Sequence, residues 1–497
     1  MASNRDFYRP TLTALEVIDE INNDLDNDEE DLNEGNESYD DEEGGDIFTN
    51  LMREAIDQSL DLDLSPSDLE DGLDFDLQDS HRSSSPIDVV DLQNNAERQR
   101  GRGLQRGVGR GRGRGERPNL IEHWDEAAPE APNNIEFRGR PGLSVDTSDF
   151  TPAQYLELFF NEDLFNNLRI QTNLYASQYI DAQPNLPPHS RVQSWTETDN
   201  AEMKKFLGLI LLTGIVKMPS YEKYWSNNKN LIYHHPIFGA VTTRNRFQLL
   251  LRFLHFHDNE NMLEVERGQP GYDRLYKIRP ILDHLFEKFQ EIYTPRRDIC
   301  VDESLLLWKG RLIFRQYLPL KRARFGIKNF LCCESDGGIK GSGGYCSRFR
   351  IYTGKEDPAL EVQNVIPDDA QHLSMSEQMV VYLILPFLDQ GYTTYMDNWY
   401  SSLRLYLYLL SKNTLACGTV RVDRGIPQQL REAAPAPNTS VALCGDHKIV
   451  ATKFHSTKIV HLLSTAHGHE EQTVPNRHRR EEIVKPSSII IYNHNMS

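Results

Sequence analysis

The chain has 497 residues, 38% of them hydrophobic, and a formal net charge of −20. That length allows two or three domains, and the longest apolar run, 206–216, is too short to span a bilayer, so no membrane partner is expected. Six cysteines without a C-x-x-C pair give a structural zinc site little support, and the lack of an N-terminal signal pattern points to a reducing compartment, cytosol or nucleus.

The charge is unevenly spread. Residues 1–80 hold 27 Asp and Glu against 3 Arg, residues 81–120 hold 9 Arg against 4 acids, and the rest is nearly balanced at 42 basic against 43 acidic. The acidity therefore belongs to a tail and does not exclude a nucleic-acid-binding body. Residues 1–130 lack a sustained apolar period and are expected to be disordered, with a transient amphipathic helix at 46–62. Within them RGRGLQRGVGRGRGRG (100–115) carries Arg110, Arg112 and Arg114 on a glycine-rich backbone. Guanidinium groups presented this way pair with phosphates or stack on bases, a route to RNA or chromatin; a solvated linker or an import signal is the plainer alternative.

Residues 131–297 read as a helical region. Thr151-Pro152 opens a helix through AQYLELFFNEDLFNNL, with a capping residue followed by a first-turn proline. Asp199 and Glu202 open a second, apolar nearly all round by 206–216; further helices are expected at 242–258 and 274–293, the last kinked or divided by Pro280. His255 and His257 are expected to pack or cap, since no partner ligands lie at helical spacing on one face.

From 298 onward the pattern changes. DICVDESLLLW, RLIFRQYLP and KNFLCCES read as three successive strands, followed by looser sequence to about 373. Then come a helix at 374–391 with a Ser374…Glu377 capping box, a strand at 393–402, a helix at 402–413 and a strand at 414–422. The order β-β-β-α-β-α-β is that of a ribonuclease-H-like α/β fold. In that plan the first strand carries an acid at its centre and the fourth an acid at its end, adjacent in space. Here these are Asp302, inside an apolar strand, and Asp397. Two close carboxylates removed from water repel, and a divalent cation relieves both costs. Hard oxygen ligands suit Mg²⁺. The alternative reading makes Asp302 an exposed strand residue and Asp397-Asn398 turn formers. In LKRARFGIK (320–328), Lys321, Arg322, Arg324 and Lys328 form a basic turn between the second and third expected strands, suited to phosphate contacts or simply solvated.

Several blocks together resemble the piggyBac transposases, specifically the transposable-element-derived group: AQYLELFFNEDLFNNL with QTNLYA, RNRFQLLLRFLHFHDN, YDRLYKIRPILDHL, VDESLLLWKGRLIFRQYLPLKRARFGIK, MDNWYSS and KIVHLLSTAHG. The resemblance runs from about 134 to the end and implies a catalytic domain at 298–497 with metal-binding Asp302 and Asp397, and a β-rich insertion at about 425–480. It also implies preceding helices that bind double-stranded DNA and form a homodimer, nuclear action, and a TTAA target preference. The family's third catalytic aspartate lies in a Gly-Gly-Val-Asp motif that occurs nowhere in these 497 residues. The expectation is therefore a C-terminally truncated, DNA-binding relative that no longer cleaves DNA. The alternatives are a working transposase of which this chain is a part, and a non-enzymatic nuclear protein that binds chromatin or RNA through its tail.

Overall fold

The computed structural model describes residues 120–496, except 122, 127–132, 188, 227–234, 262–271, 320, 322, 338–342, 355–364 and 476–481. The expectations for the acidic stretch, the helix at 46–62, Arg110, Arg112, Arg114 and Arg322 lie outside the described residues. Order begins inside the stretch 1–130 expected to be disordered: Trp124–Glu126 forms a strand, β1, and Ile121 is buried. Three residues are too few for an alternation to show in the sequence.

The helices follow from their caps. Thr151 and Gln154 cap α1 (Pro152–Phe159) reciprocally. Asn161 then recaps the chain by accepting from the Leu164 N–H, so α2 (Glu162–Asp181) starts afresh and the single helix expected here is two. Asp199 caps α3 (Asn200–Ile215), and Thr243 caps α4 (Arg244–Phe253). Pro280 sits in the first turn of α5 (Arg279–Ile292), which it starts rather than kinks. Leu164, Phe165, Met203, Phe206, Phe247 and Leu250 bury one core between α2, α3 and α4. His255 is buried and stacks on Tyr175 at 3.5 Å, a packing role. No described helix is long and apolar enough to cross a membrane.

A ten-stranded mixed sheet forms the second layer. At its centre β2 (Asp298–Leu307) pairs antiparallel with β3 (Phe325–Glu334), which pairs antiparallel with β4 (Cys346–Ile351). After α6 (Met375–Ile384), β5 (Thr393–Met396) lies parallel to β2. After α7 (Leu403–Ser411), β6 (Leu415–Thr419) lies parallel to β5. This is the strand plan expected, with two strand assignments corrected. RLIFRQYLP contributes only Gln316–Tyr317 to the sheet, because Leu312 and Phe314 pack with Trp308 and Leu282 instead of entering a ladder. The third long strand is β4, in the stretch read as loose. Its Ser347 and Arg350 are buried, so polar residues occupy positions where an apolar alternation would have marked a strand. The basic turn still joins the RLIFRQYLP strand to the KNFLCCES strand, as expected, through the pairing of Gln316–Tyr317 with β3.

The β-rich stretch continues the same sheet. β7 (Ser440–Gly445), β8 (Ile449–His455) and β9 (Ile459–Ser464) form a meander that joins β6 through Leu462↔Thr419, and β1 closes the outer edge through Trp124↔Gly445. A hairpin, β10 (Glu471–Pro475) and β11 (Glu482–Pro486), leads into α8 (Ser487–Asn495). α6 and α7 bury one face of the sheet over Ile299, Val301, Phe330 and Met396. Ile489 of α8 packs over Cys300, Tyr395 and Cys417 on the other.

Candidate functional site

The two expected acids meet because of register. The parallel ladder between β2 and β5 ends at Val301↔Met396. Asp302 and Asp397 are each the next residue, so they emerge side by side where two neighbouring strands stop pairing. One carboxylate oxygen from each of Asp302, Glu303 and Asp397 lies within 4.8 Å of the others, in the one cluster of this kind among the described residues. Glu303 escaped the sequence reading because strand alternation assigns it to the face opposite Asp302. The signal available was only its adjacency.

A tight turn holds Asp397. Its Oδ1 accepts from the Trp399 N–H at 2.9 Å, and its carbonyl accepts from the Ser401 N–H at 3.1 Å and hydroxyl at 2.9 Å. Burial pushes the Asp397 carboxyl above its ordinary value. Burial, then the charge of Glu303, pushes Asp302 up to about 6. A carboxyl raised in this way stabilises the fold below its unfolded value and loses that contribution as pH rises through about 6. Asp302→Asn is therefore expected to raise the thermal midpoint in EDTA at about pH 8 and to change it little at about pH 4. Scanning calorimetry at both values checks this.

Of the basic turn, Lys321 reaches the acids: its Nζ is 3.6 Å from the Glu303 carboxylate and donates to the Glu303 carbonyl at 3.3 Å. Lys328 lies over the Phe330 and Trp399 rings, at 5.2 and 5.3 Å. Those rings stack with centroids 5.7 Å apart, which places Lys328 against the same Asp397 turn. Arg324 is exposed, with a φ of 48°, and closes the basic turn through backbone bonds with Leu318 and Lys321. A cleft of about 240 Å³ opens beside Asp302, lined by Cys300, Cys333, Asp336 and Asn495.

The donor set is chemically uniform. Three carboxylates, all hard oxygen, suit Mg²⁺ or Mn²⁺ and not a thiolate-seeking ion. The residues present thus fit a divalent ion of the kind the resemblance implies.

A family profile described as Transposase IS4 matches residues 151–497. PiggyBac transposable element-derived protein 2 of Homo sapiens is 25% identical over 362 residues, covering 70% of this chain and 55% of that protein. PiggyBac transposable element-derived protein 3 of Homo sapiens is 25% identical over 354 residues, covering 69% and 54%. The chain thus spans about half the length of these curated relatives. Among solved structures, the piggyBac transposase synaptic complex with hairpin DNA, determined by cryo-electron microscopy, superposes with a TM-score of 0.55 at 23% identity, covering 72% of this chain and 68% of that one, a likeness of fold. With the profile spanning most of the sequence, the chain belongs to the piggyBac-type transposase family.

Proposed function

We propose that this chain is a DNA-binding relative of the cut-and-paste transposases that holds a divalent ion, Mg²⁺, at Asp302 and Asp397 without cleaving DNA. The observation that carries this reading is the carboxylate focus at the ends of β2 and β5. Carboxylate oxygens gathered within 4.8 Å of one another would hold a hard divalent ion. Strand cleavage by the two-ion route needs two centres roughly 3.5–4 Å apart. A bound ion would offset the charge of the paired acids and attract a phosphate oxygen. Lys321 and Lys328 then flank that phosphate, and the helical layer extends the contact along a duplex. The synaptic complex of the relative with hairpin DNA supports a nucleic-acid partner.

The reading includes action in the nucleus and a homodimer. Leu211 and Ile215 on the outer face of α3 are exposed, Ile215 at 81%, and are available to a second copy. The Arg–Gly tract adds sequence-independent contact with RNA or chromatin.

Fluorescence anisotropy with a labelled duplex tests binding. Affinity is expected to fall steeply with salt, and Lys321→Ala or Lys328→Ala to reduce the log–log slope by about 1 each. Nicking of supercoiled plasmid in Mg²⁺ tests cleavage. The wild-type 497-residue protein is expected to match Asp302→Asn. Mg²⁺-dependent nicking that Asp302→Asn abolishes would replace this reading with that of a working transposase.

A further inference from the structure

We propose that Glu303 is the third carboxylate ligand of the ion site, and that the Tyr400 hydroxyl is the hydrogen-bond partner of a water carried by that ion. This rests on the ion-binding reading above and names the residues that complete it.

The first observation is positional. Glu303 stands next to Asp302 on β2, yet its carboxylate joins the Asp302–Asp397 focus. β2 keeps its antiparallel neighbour here, with Glu303 opposite Phe330, but has lost its parallel one after Val301↔Met396. The edge beyond that point is open, and the side chain of glutamate, one methylene longer than that of aspartate, reaches round it. An aspartate at 303 would be too short for the same path.

The second observation is independent. Tyr400 is 0% exposed, and its hydroxyl has no hydrogen-bond partner among the described residues. Leaving a buried hydroxyl unmatched is costly, so Tyr400 calls for a polar partner that the described residues do not supply. The carboxylates within electrostatic reach of this hydroxyl are Glu303, Asp397 and Asp302. A small hard cation keeps several of its waters when carboxylates bind it. A hydroxyl set behind three such ligands would accept from or donate to one of those waters and fix the ligand geometry from outside. The Asp397 turn places Tyr400 there, because Ser401 bonds back to the Asp397 carbonyl on both its N–H and its hydroxyl. Lys321 is the ion-free partner of Glu303. Ammonium and cation compete for one carboxylate, so Lys321 is released toward phosphate when the ion binds.

Titration of Mn²⁺ into the 497-residue protein by calorimetry tests this. One site is expected in the wild type, lost in Asp302→Asn and Asp397→Asn, and weakened about tenfold or more in both Glu303→Gln and Tyr400→Phe. Wild-type affinity in Glu303→Gln, with binding still lost in the aspartate variants, overturns the inference and leaves the parent reading standing. Wild-type affinity in Tyr400→Phe removes the hydroxyl from the site. No Mn²⁺ binding by the wild type removes both readings. Thermal unfolding gives a second readout: Glu303→Gln is expected to shrink the rise in midpoint that Mn²⁺ produces relative to EDTA. An undiminished Mn²⁺-induced rise in Glu303→Gln overturns the ligand assignment.

Discussion

Gly418→Ala is expected to destabilise the protein by about 1–3 kcal/mol and to weaken Mn²⁺ binding with it. Gly418 lies in β6 between Met396 of β5 and Leu463 of β9. A Cβ at this position would overlap the Met396 carbonyl oxygen and crowd the hydroxyls of Ser401 and Tyr406. The first obstacle is backbone in a paired strand and cannot rotate away. The two hydroxyls bond to each other at 3.1 Å, and that of Ser401 also donates to the Asp397 carbonyl. Relief of the clash must therefore move the end of β5 and the turn that aims Asp397. Urea unfolding should show a lower midpoint with an unchanged slope, the sign of lost stability rather than a changed denatured state. Gly208→Ala is the control. Gly208 is an exposed glycine in α3 with nothing within 4 Å of a Cβ, and alanine there is expected to be neutral or to stabilise by about 0.5–1 kcal/mol.

Glu377→Ala is expected to cost more, about 3–5 kcal/mol. The Glu377 carboxylate is buried at the start of α6. It accepts from the Ser374 N–H at 2.6 Å, from the Ser402 hydroxyl, and from Arg404 at 2.6 Å. It thus ties the first turn of α6 to the N-cap of α7, and the backbone between β5 and α7 is the Asp397 turn. Removing it leaves Arg404 without its anion and Ser374 without its reciprocal cap. Burial works against the Glu377 charge, but hydrogen bonds from Ser402, Ser374 and Arg404 prevail and hold its pKa below the ordinary value. A depressed carboxyl contributes stability that is present above its unfolded value and lost as pH falls through its folded one. The gap between wild type and Glu377→Gln should therefore be widest near neutrality and should narrow in acid. Urea titrations at about pH 7.5 and about pH 3.5 measure it.

The acids at the centre of the site were legible because each interrupts a pattern. Asp302 breaks a run of apolar strand residues, and Asp397 follows a short β-branched and aromatic strand, TTYM, with a turn signal. Their meeting required only that the two strands be neighbours, which the element order implied. Glu303 was not legible, since alternation along a strand describes directions from an ideal ladder and β2 has lost one partner there. β4 was hidden for a related reason. Its buried Ser347 and Arg350 occupy positions where apolar residues would have marked a strand, and Arg350 lies over the Tyr382 ring of α6 at 5.4 Å. RLIFRQYLP failed in the opposite direction: its apolar residues serve a cluster beneath α5, so hydrophobicity alone mimicked a strand. The capping residues were the most faithful guides. Thr151, Asp199 and Ser374 each start the helix expected of them.

The outer edge of the sheet joins His123 to Asp446, 323 positions apart. On a ribosome making the chain from its first residue, Trp124 emerges long before the strand that will cover it. The central strands and their helices have time to assemble while this segment waits in solvent. Pairing between β1 and β7 is thus a long-range contact, whose loop-closure cost is met only after the central strands have been made.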